Sequence, residues 1–420
     1  MPKLEAQKLR KIFKLFAVVT LVLLGWFWGV ATVNYRVFPY EAARSARDAV
    51  NCFSAFGNGI FRFRDFPCIL GKLSRGKSHS IDDSALQNSA TYAKESFKAI
   101  SAKSGQVRES LIRKLIIDRE HVEILKADVK KMHSFLKQMK IEGVVELYNV
   151  KFYGIGIYGV LSKSSNDSNC LIIYNQGHGD GIRAILNGNP FNYSYHNKIR
   201  DEILSKNCDM LSLSMLGIGK NQGDAGFPSS FVEENSYLHL TAEQASHHSS
   251  YRSFYDKEQP NLDPIALFLS GHFWLISDIS KNYDSVLMMG VSGGGWYTTM
   301  LSALTPAIDH SISFAGSLPK IFKINVEHKG DWENINSDIW KEFDYWDFYF
   351  LSLFDKHGLL SRKSHLVYYN KDPIAFMDPN ASTFKSMADD LDISNLRVSV
   401  IDYSKHDIQV DFALKLISAR

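Results

Sequence analysis

The sequence has little of what marks most special-purpose chains. It carries only four cysteines, Cys52, Cys68, Cys170 and Cys208. None of them makes the C-x-x-C or Cys/His spacing of a zinc module. Charge of one sign is also missing: 48 Lys and Arg against 45 Asp and Glu leave a formal net charge of +3. So even a balance excludes a nucleic-acid surface and a charged disordered tail. No glycine-rich stretch ends in the Lys-Ser/Thr of a P-loop, which removes phosphate cradling. Nothing in these patterns calls for a cofactor or a metal. With 45% hydrophobic residues, the chain can bury one large core and a smaller satellite.

One long hydrophobic run is present. Lys8, Arg10, Lys11 and Lys14 precede an uncharged stretch over residues 15–33 that includes Trp26 and Trp28. At about 1.5 Å per residue it matches a bilayer core of about 30 Å. The basic side, residues 1–14, stays in the cytoplasm, which puts everything after Arg36 on the non-cytoplasmic side, periplasmic or extracellular. A cleaved signal peptide is the competing reading, since Gly29-Val30-Ala31 offers small residues for cleavage and would leave a secreted protein. The length of the stretch favours an uncleaved anchor. An oxidising compartment would let Cys52 pair with Cys68, which share a short loop-rich segment. Cys170 and Cys208 each precede an expected strand and could form a second bridge if those strands are neighbours.

Residues 34–141 read as an irregular segment followed by a helical one. From about Asp82 to Lys140, Leu111, Ile112, Leu115, Ile116, Val122, Leu125 and Val129 recur at helical spacing. The pattern predicts a pair of helices packed on the next domain, or a stalk. Residues 142–420 read differently. Val144–Val150 and Gly154–Leu161 alternate as a hairpin, and strands are then expected at Leu171–Tyr174, Met210–Leu213, Ser285–Met289, Ser311–Phe314, Leu366–Tyr369 and Arg397–Asp402. Strands alternating with helices predict an α/β fold with a mostly parallel sheet covered on both faces. Functional residues of such sheets collect at the carboxyl ends of the strands.

One strand end stands out. The apolar run Ser285–Met289 leads into Gly290-Val291-Ser292-Gly293-Gly294, a G-x-S-x-G sequence, and then into a segment able to start a helix at Trp296. A serine on so sharp a turn has its hydroxyl lifted into a pocket, with glycines where a Cβ would clash. Beyond it, Asp372 follows the strand Leu366–Tyr369 in Asn370-Lys371-Asp372-Pro373. His406 follows the last strand in Tyr403-Ser404-Lys405-His406-Asp407.

From about residue 142 to the C-terminus the chain resembles the α/β-hydrolase superfamily, whose order is nucleophile, acid, histidine. The runs Gly290–Trp296 and Ala315-Gly316-Ser317-Leu318-Pro319 look like those of exported or membrane-bound bacterial members. The resemblance implies that Ser292 is the nucleophile and His406 the general base. Asp372 would orient the histidine, with Asp378, also before proline, as a competitor. It implies oxyanion donors at Gly293 and in the loop Asn175-Gln176-Gly177-His178-Gly179-Asp180-Gly181, through Gly179 and Asp180. His247, His248 and His272 show no ligand spacing and are left without a role.

Two connections would roof the pocket: one from about Gly217 to Asp263, the other an insert over residues 320–365. The second holds Trp332, Trp340, Phe343, Tyr345, Trp346, Phe348, Tyr349, Phe350 and Phe354. It occupies the place of a superfamily cap, with some rings facing substrate, or is a helical insert with its own core. The implied function is a membrane-anchored carboxylic ester hydrolase acting on a small-molecule, glycan or lipid ester. Acyl transfer, peptide or thioester cleavage, or non-catalytic binding on the same scaffold are the alternatives.

Overall fold

The strands expected from the sequence all form, and they pair into one sheet. Residues 81–126, 145–153, 155–164, 167–177, 194–216, 248–324, 331–335, 337–374 and 376–418 are described by the computed structural model. They belong to the second of two compact units, Gly76–Arg420. The basic segment, the apolar run 15–33 and the pair Cys52 and Cys68 lie outside the described residues. Among the described residues no helix is long and apolar enough to cross a membrane.

In chain order the described strands are β1 (Glu123–Lys126), β2 (Val145–Phe152), β3 (Ile155–Ser162), β4 (Cys170–Gln176), β5 (Asp209–Ser214), β6 (Ser285–Val291), β7 (His310–Phe314), β8 (Lys363–Tyr369) and β9 (Leu396–Ile401). They lie side by side as β1-β2-β3-β5-β4-β6-β7-β8-β9. The first three and the β3–β5 junction are antiparallel, and every pair from β5 through β4 to β9 is parallel. All residues of β4 and β5 are buried, and all of β6 except its first. Alternate residues of a strand face opposite sides, so continuous burial means that both faces are covered.

The covering helices are α1 (Asp83–Leu115), α2 (Ser194–Ser205), α3 (Ala266–Ile279), α4 (Gly293–Leu304), α5 (Lys320–Ile324), α6 (Trp332–Ile335), α7 (Ile339–Glu342), α8 (Tyr345–Leu351), α9 (Asn380–Asp389) and α10 (Val410–Ser418). Helix α1 consists of two helical segments that meet at a kink, where Lys103 has non-helical φ/ψ, and it ends at Leu115. Val122 and Leu125, read as a continuing helical stripe, instead enter and occupy edge strand β1. A few apolar residues of spacing common to helix and strand cannot separate the two periods, and the antiparallel partner β2 decides for strand. The sheet therefore begins before residue 142.

Helix α1 is not a stalk. Ala93, Ile100, Leu111 and Leu115 form its buried stripe. Arg108, also buried, donates to the carbonyls of Ala303 (2.9 Å), Asp355 (3.1 Å), Leu351 (3.1 Å) and Phe354 (2.5 Å). From the other side Arg362 donates to Ser302 O at 2.6 Å and Thr305 O at 3.1 Å. Together the two guanidinium groups satisfy carbonyls at the C-terminal end of α4, where positive charge meets the negative pole of the helix.

The aromatic segment is built into this same core. Trp340, Tyr345, Trp346, Phe348, Tyr349, Phe350 and Phe354 are all buried. Phe97 of α1 meets Phe350 edge-on at 5.3 Å, and Trp346 meets Phe384 of α9 at 5.0 Å. Tyr92 Oη donates to Asp347 Oδ2 at 2.6 Å, and Ser96 reaches the other oxygen of the same carboxylate. These rings form a core shared with α1 and α9, which is the helical-insert reading extended to a neighbour distant in sequence.

Cys170 and Cys208 form a disulfide with a Cα–Cα distance of 4.7 Å. The pairing follows from register: Leu171 lies beside Asp209 in the parallel β4–β5 pair, so the two preceding cysteines are neighbours as well.

Candidate active site

The G-x-S-x-G sequence forms the turn between β6 and α4. Ser292 itself carries the strain, with φ 58° and ψ −126°. Its N–H donates to Phe314 O of β7 at 2.9 Å, and its carbonyl accepts from Trp296 N at 2.9 Å. The surrounding glycines serve close approach rather than unusual dihedrals. A Cβ on Gly294 would lie 1.9 Å from the Asn175 carbonyl oxygen of β4, and one on Gly290 2.3 Å from Gly294 O. Any side chain there would push the elbow off the sheet.

His406 stands at the centre of a hydrogen-bonded line. Its Nε2 lies 2.8 Å from Ser292 Oγ, and its Nδ1 lies 2.7 Å from Asp372 Oδ2. The three residues come from the ends of β6, β8 and β9, as the sequence order required. Asp372 is 1% exposed, and its other oxygen accepts from Ile374 N at 2.8 Å. That bond holds the carboxylate in one orientation. With Nδ1–H donated to Asp372, the imidazole presents the lone pair of Nε2 to the serine hydroxyl.

Asp378, the competing acid, does something else. Its Oδ1 accepts from Ser382 N at 3.1 Å and from Ser382 Oγ at 2.6 Å, so it supports the first turn of α9. Of the two aspartates left open in the sequence, Asp372 faces His406 and Asp378 faces Ser382.

Of the expected oxyanion donors, Gly293 is the first residue of α4 and directly follows Ser292. Gly179 and Asp180 lie outside the described residues. The start of their loop is described: a Cβ on Gly177 would lie 2.8 Å from Ser292 Cβ and 2.9 Å from Gly293 N. The loop after β4 therefore leaves the sheet against the elbow, beside the amide that an oxyanion would use.

One feature escaped the sequence reading. Phe376 stacks on the His406 ring, with centroids 5.8 Å apart and an interplanar angle of 11°. Its place between the two aspartates was visible, but no local pattern shows which way a loop side chain turns. The run Ala315–Pro319, noted in the sequence for its resemblance, packs against the start of α4. Gly316 lies against Gly295, and Ser317 Oγ is 3.0 Å from Thr299 Oγ1 and 3.1 Å from Tyr349 Oη. This run locks α4 to the aromatic core.

The histidines left without a role divide. His272 is fully buried, donates from Nε2 to Ser214 O at 3.0 Å and packs on Tyr297 at 4.5 Å. Burial lowers its pKa to about 4, so it stays neutral and structural. His248 lies in a buried group of acidic residues. His247 is outside the described residues.

No protein-family profile and no curated protein matches the sequence. Several solved structures are similar in fold. Est1E from Butyrivibrio proteoclasticus is 12% identical, with 65% of this chain and 96% of that chain covered and a TM-score of 0.38. Methylesterase BT1017 is 12% identical over 81% of this chain and 65% of its own, with a TM-score of 0.43. The acylaminoacyl peptidase of Pyrococcus horikoshii is 13% identical over 68% of this chain and 42% of its own, with a TM-score of 0.41.

Proposed function

We propose that this chain, whose strand order, elbow and order of site residues are those of the α/β-hydrolase fold, is a serine hydrolase that cleaves carboxylic esters through an acyl-enzyme. The observation that carries the reading is the continuous line from Ser292 Oγ through both nitrogens of His406 to Asp372. A serine hydroxyl is a weak nucleophile until a base takes its proton, and Nε2 is in place to do so. Ser292 Oγ attacks the carbonyl carbon as its proton moves to Nε2. Asp372 stabilises the imidazolium, and Gly293 N–H, with donors from the loop that begins at Gly177, stabilises the tetrahedral oxyanion. Nε2–H then protonates the leaving alcohol. Water, deprotonated by the same nitrogen, releases the acid and restores Ser292.

The ester is proposed over an amide because an alcohol leaves more readily than an amine, and over a thioester because ester cleavage is the commonest reaction of the superfamily the chain resembles. Export through the 15–33 anchor completes the proposal and agrees with the Cys170–Cys208 disulfide, since such bonds persist in oxidising compartments. A fluorophosphonate probe tests the chemistry: the full-length protein in detergent should label once, and S292A should not label at all. Equal labelling of the variant, or none of the wild type, refutes the serine mechanism. Topology is tested separately. Protease added to cells stripped of any outer membrane should digest the catalytic unit, and full protection reverses the orientation.

A further inference from the structure

Behind the elbow lies a second group of ionisable side chains that the proposed chemistry does not use. His248, Asp331 and Glu333 come together there, with one potential ligand atom of each within 4.8 Å of the other two. Glu333 is fully buried and presents both oxygens to His248 Nδ1 at 3.0 Å. Asn334 Nδ2 also donates to it, at 3.3 Å. The nearby cation does not bridge to it. Lys323 Nζ donates to Asn334 Oδ1 at 3.0 Å and lies over the rings of Tyr345, at 4.9 Å, and Phe376, at 5.8 Å. A fully buried carboxylate beside a second carboxylate is costly unless positive charge is brought to it. His248 bonds Glu333 directly, and Lys323 adds a longer-range attraction to both carboxylates.

We propose that His248, Asp331 and Glu333 bind one divalent cation of the zinc class. An imidazole nitrogen with two carboxylate oxygens is a donor set for Zn²⁺ or Mn²⁺, whereas Ca²⁺ and Mg²⁺ select oxygen alone. The ion would compensate both carboxylates, and the ligand atoms would close around it to metal distances of about 2.0–2.2 Å. The site would be structural. It joins the 3-10 turn His248–Ser253 to α6, with His248 and Glu333 85 positions apart in the chain. From there Trp340 Nε1 donates to Glu333 O at 2.8 Å, Tyr345 Oη to Asn334 O at 2.8 Å, and Trp296 Nε1 of the nucleophile helix to Tyr345 Oη at 3.1 Å. An ion at this point would fix the mutual position of those segments and of α4. This proposal does not depend on the hydrolase reading.

Full-length protein in detergent, stripped by chelator and dialysed, is titrated with Zn²⁺ against a chromogenic competitor, and its unfolding temperature is followed with and without the ion. The expected result is one equivalent bound and an upward shift of at least about 3 °C. Ca²⁺ and Mg²⁺ should produce no shift. D331N, at the most accessible ligand, and H248Q should lose the equivalent, and S292A should keep it. Co²⁺ loading should give visible absorption bands in wild type and none in D331N. If D331N or H248Q fails to fold, the wild-type titration still decides. The proposal is overturned if wild type binds no stoichiometric ion, or if the bound equivalent persists in both ligand variants.

Discussion

His406 Nδ1 lies 2.7 Å from Asp372 Oδ2, while Asp378, later in the same loop, directs its carboxylate to Ser382. The two aspartates precede prolines alike, and only one faces the histidine. D372N should lower kcat toward ester substrates by about 10⁴-fold, because an amide no longer holds the correct tautomer. D378N should retain kcat within a few-fold and lose about 1 kcal/mol of stability with its capping interaction. Steady-state kinetics and denaturant melts on the two variants check this, and the reverse result would exchange their roles.

Arg108 ties α1 to the end of the nucleophile helix. Removing a buried guanidinium that satisfies several carbonyls leaves those acceptors unpaired, so R108A should cost about 2–4 kcal/mol in unfolding free energy. R108K should recover only part of the loss, since an ammonium lacks the planar fork. A chain beginning after Leu115 should fail to fold. A stable, active truncation would show that α1 is dispensable.

The Cys170–Cys208 bond closes a loop across a sequence separation of 38. In the chain-entropy description a loop of that size contributes about 3–4 kcal/mol by constraining the unfolded state. C170S with C208S should therefore unfold at lower denaturant concentration than wild type, with active-site labelling intact below the transition. Identical midpoints would show that the bond adds nothing.

Lys323 gives stability a pH dependence of defined sign. Burial lowers its pKa to about 7 from an ordinary 10.5, against the opposing pull of Glu333, Asp331 and Asp344. Between those values the unfolded chain holds a proton that the folded chain has released, so unfolding free energy should rise with pH from about 7 to about 10. K323M should flatten that rise. Denaturant midpoints at intervals across the window measure it, and an unchanged slope in K323M assigns the effect elsewhere.

The strands and their order of service were legible because buried parallel strands are short, continuous apolar runs closed by turns. Ser285–Val291 is one example and Lys363–Tyr369 another. The expected strands and the motif order of the family the chain resembles placed Ser292, Asp372 and His406 at the ends of β6, β8 and β9. Val122 and Leu125 were misread because a few apolar residues fit either period until a partner strand is present. Arg108, Phe376 and the His248 group were not legible for a different reason. Their partners lie far away in the chain, and no local spacing encodes such a meeting.

Two levels of information thus divide the protein. The sequence by itself determined that a serine stands on a strand-to-helix turn with an acid and a histidine after it, because glycine placement and hydrophobic period are local properties. Only the tertiary structure decided that Asp372 rather than Asp378 meets His406, that the aromatic segment joins the core, and that a histidine and two carboxylates converge behind the elbow. Those outcomes depend on the direction of side chains and on contacts across the sheet, which are fixed when the chain packs.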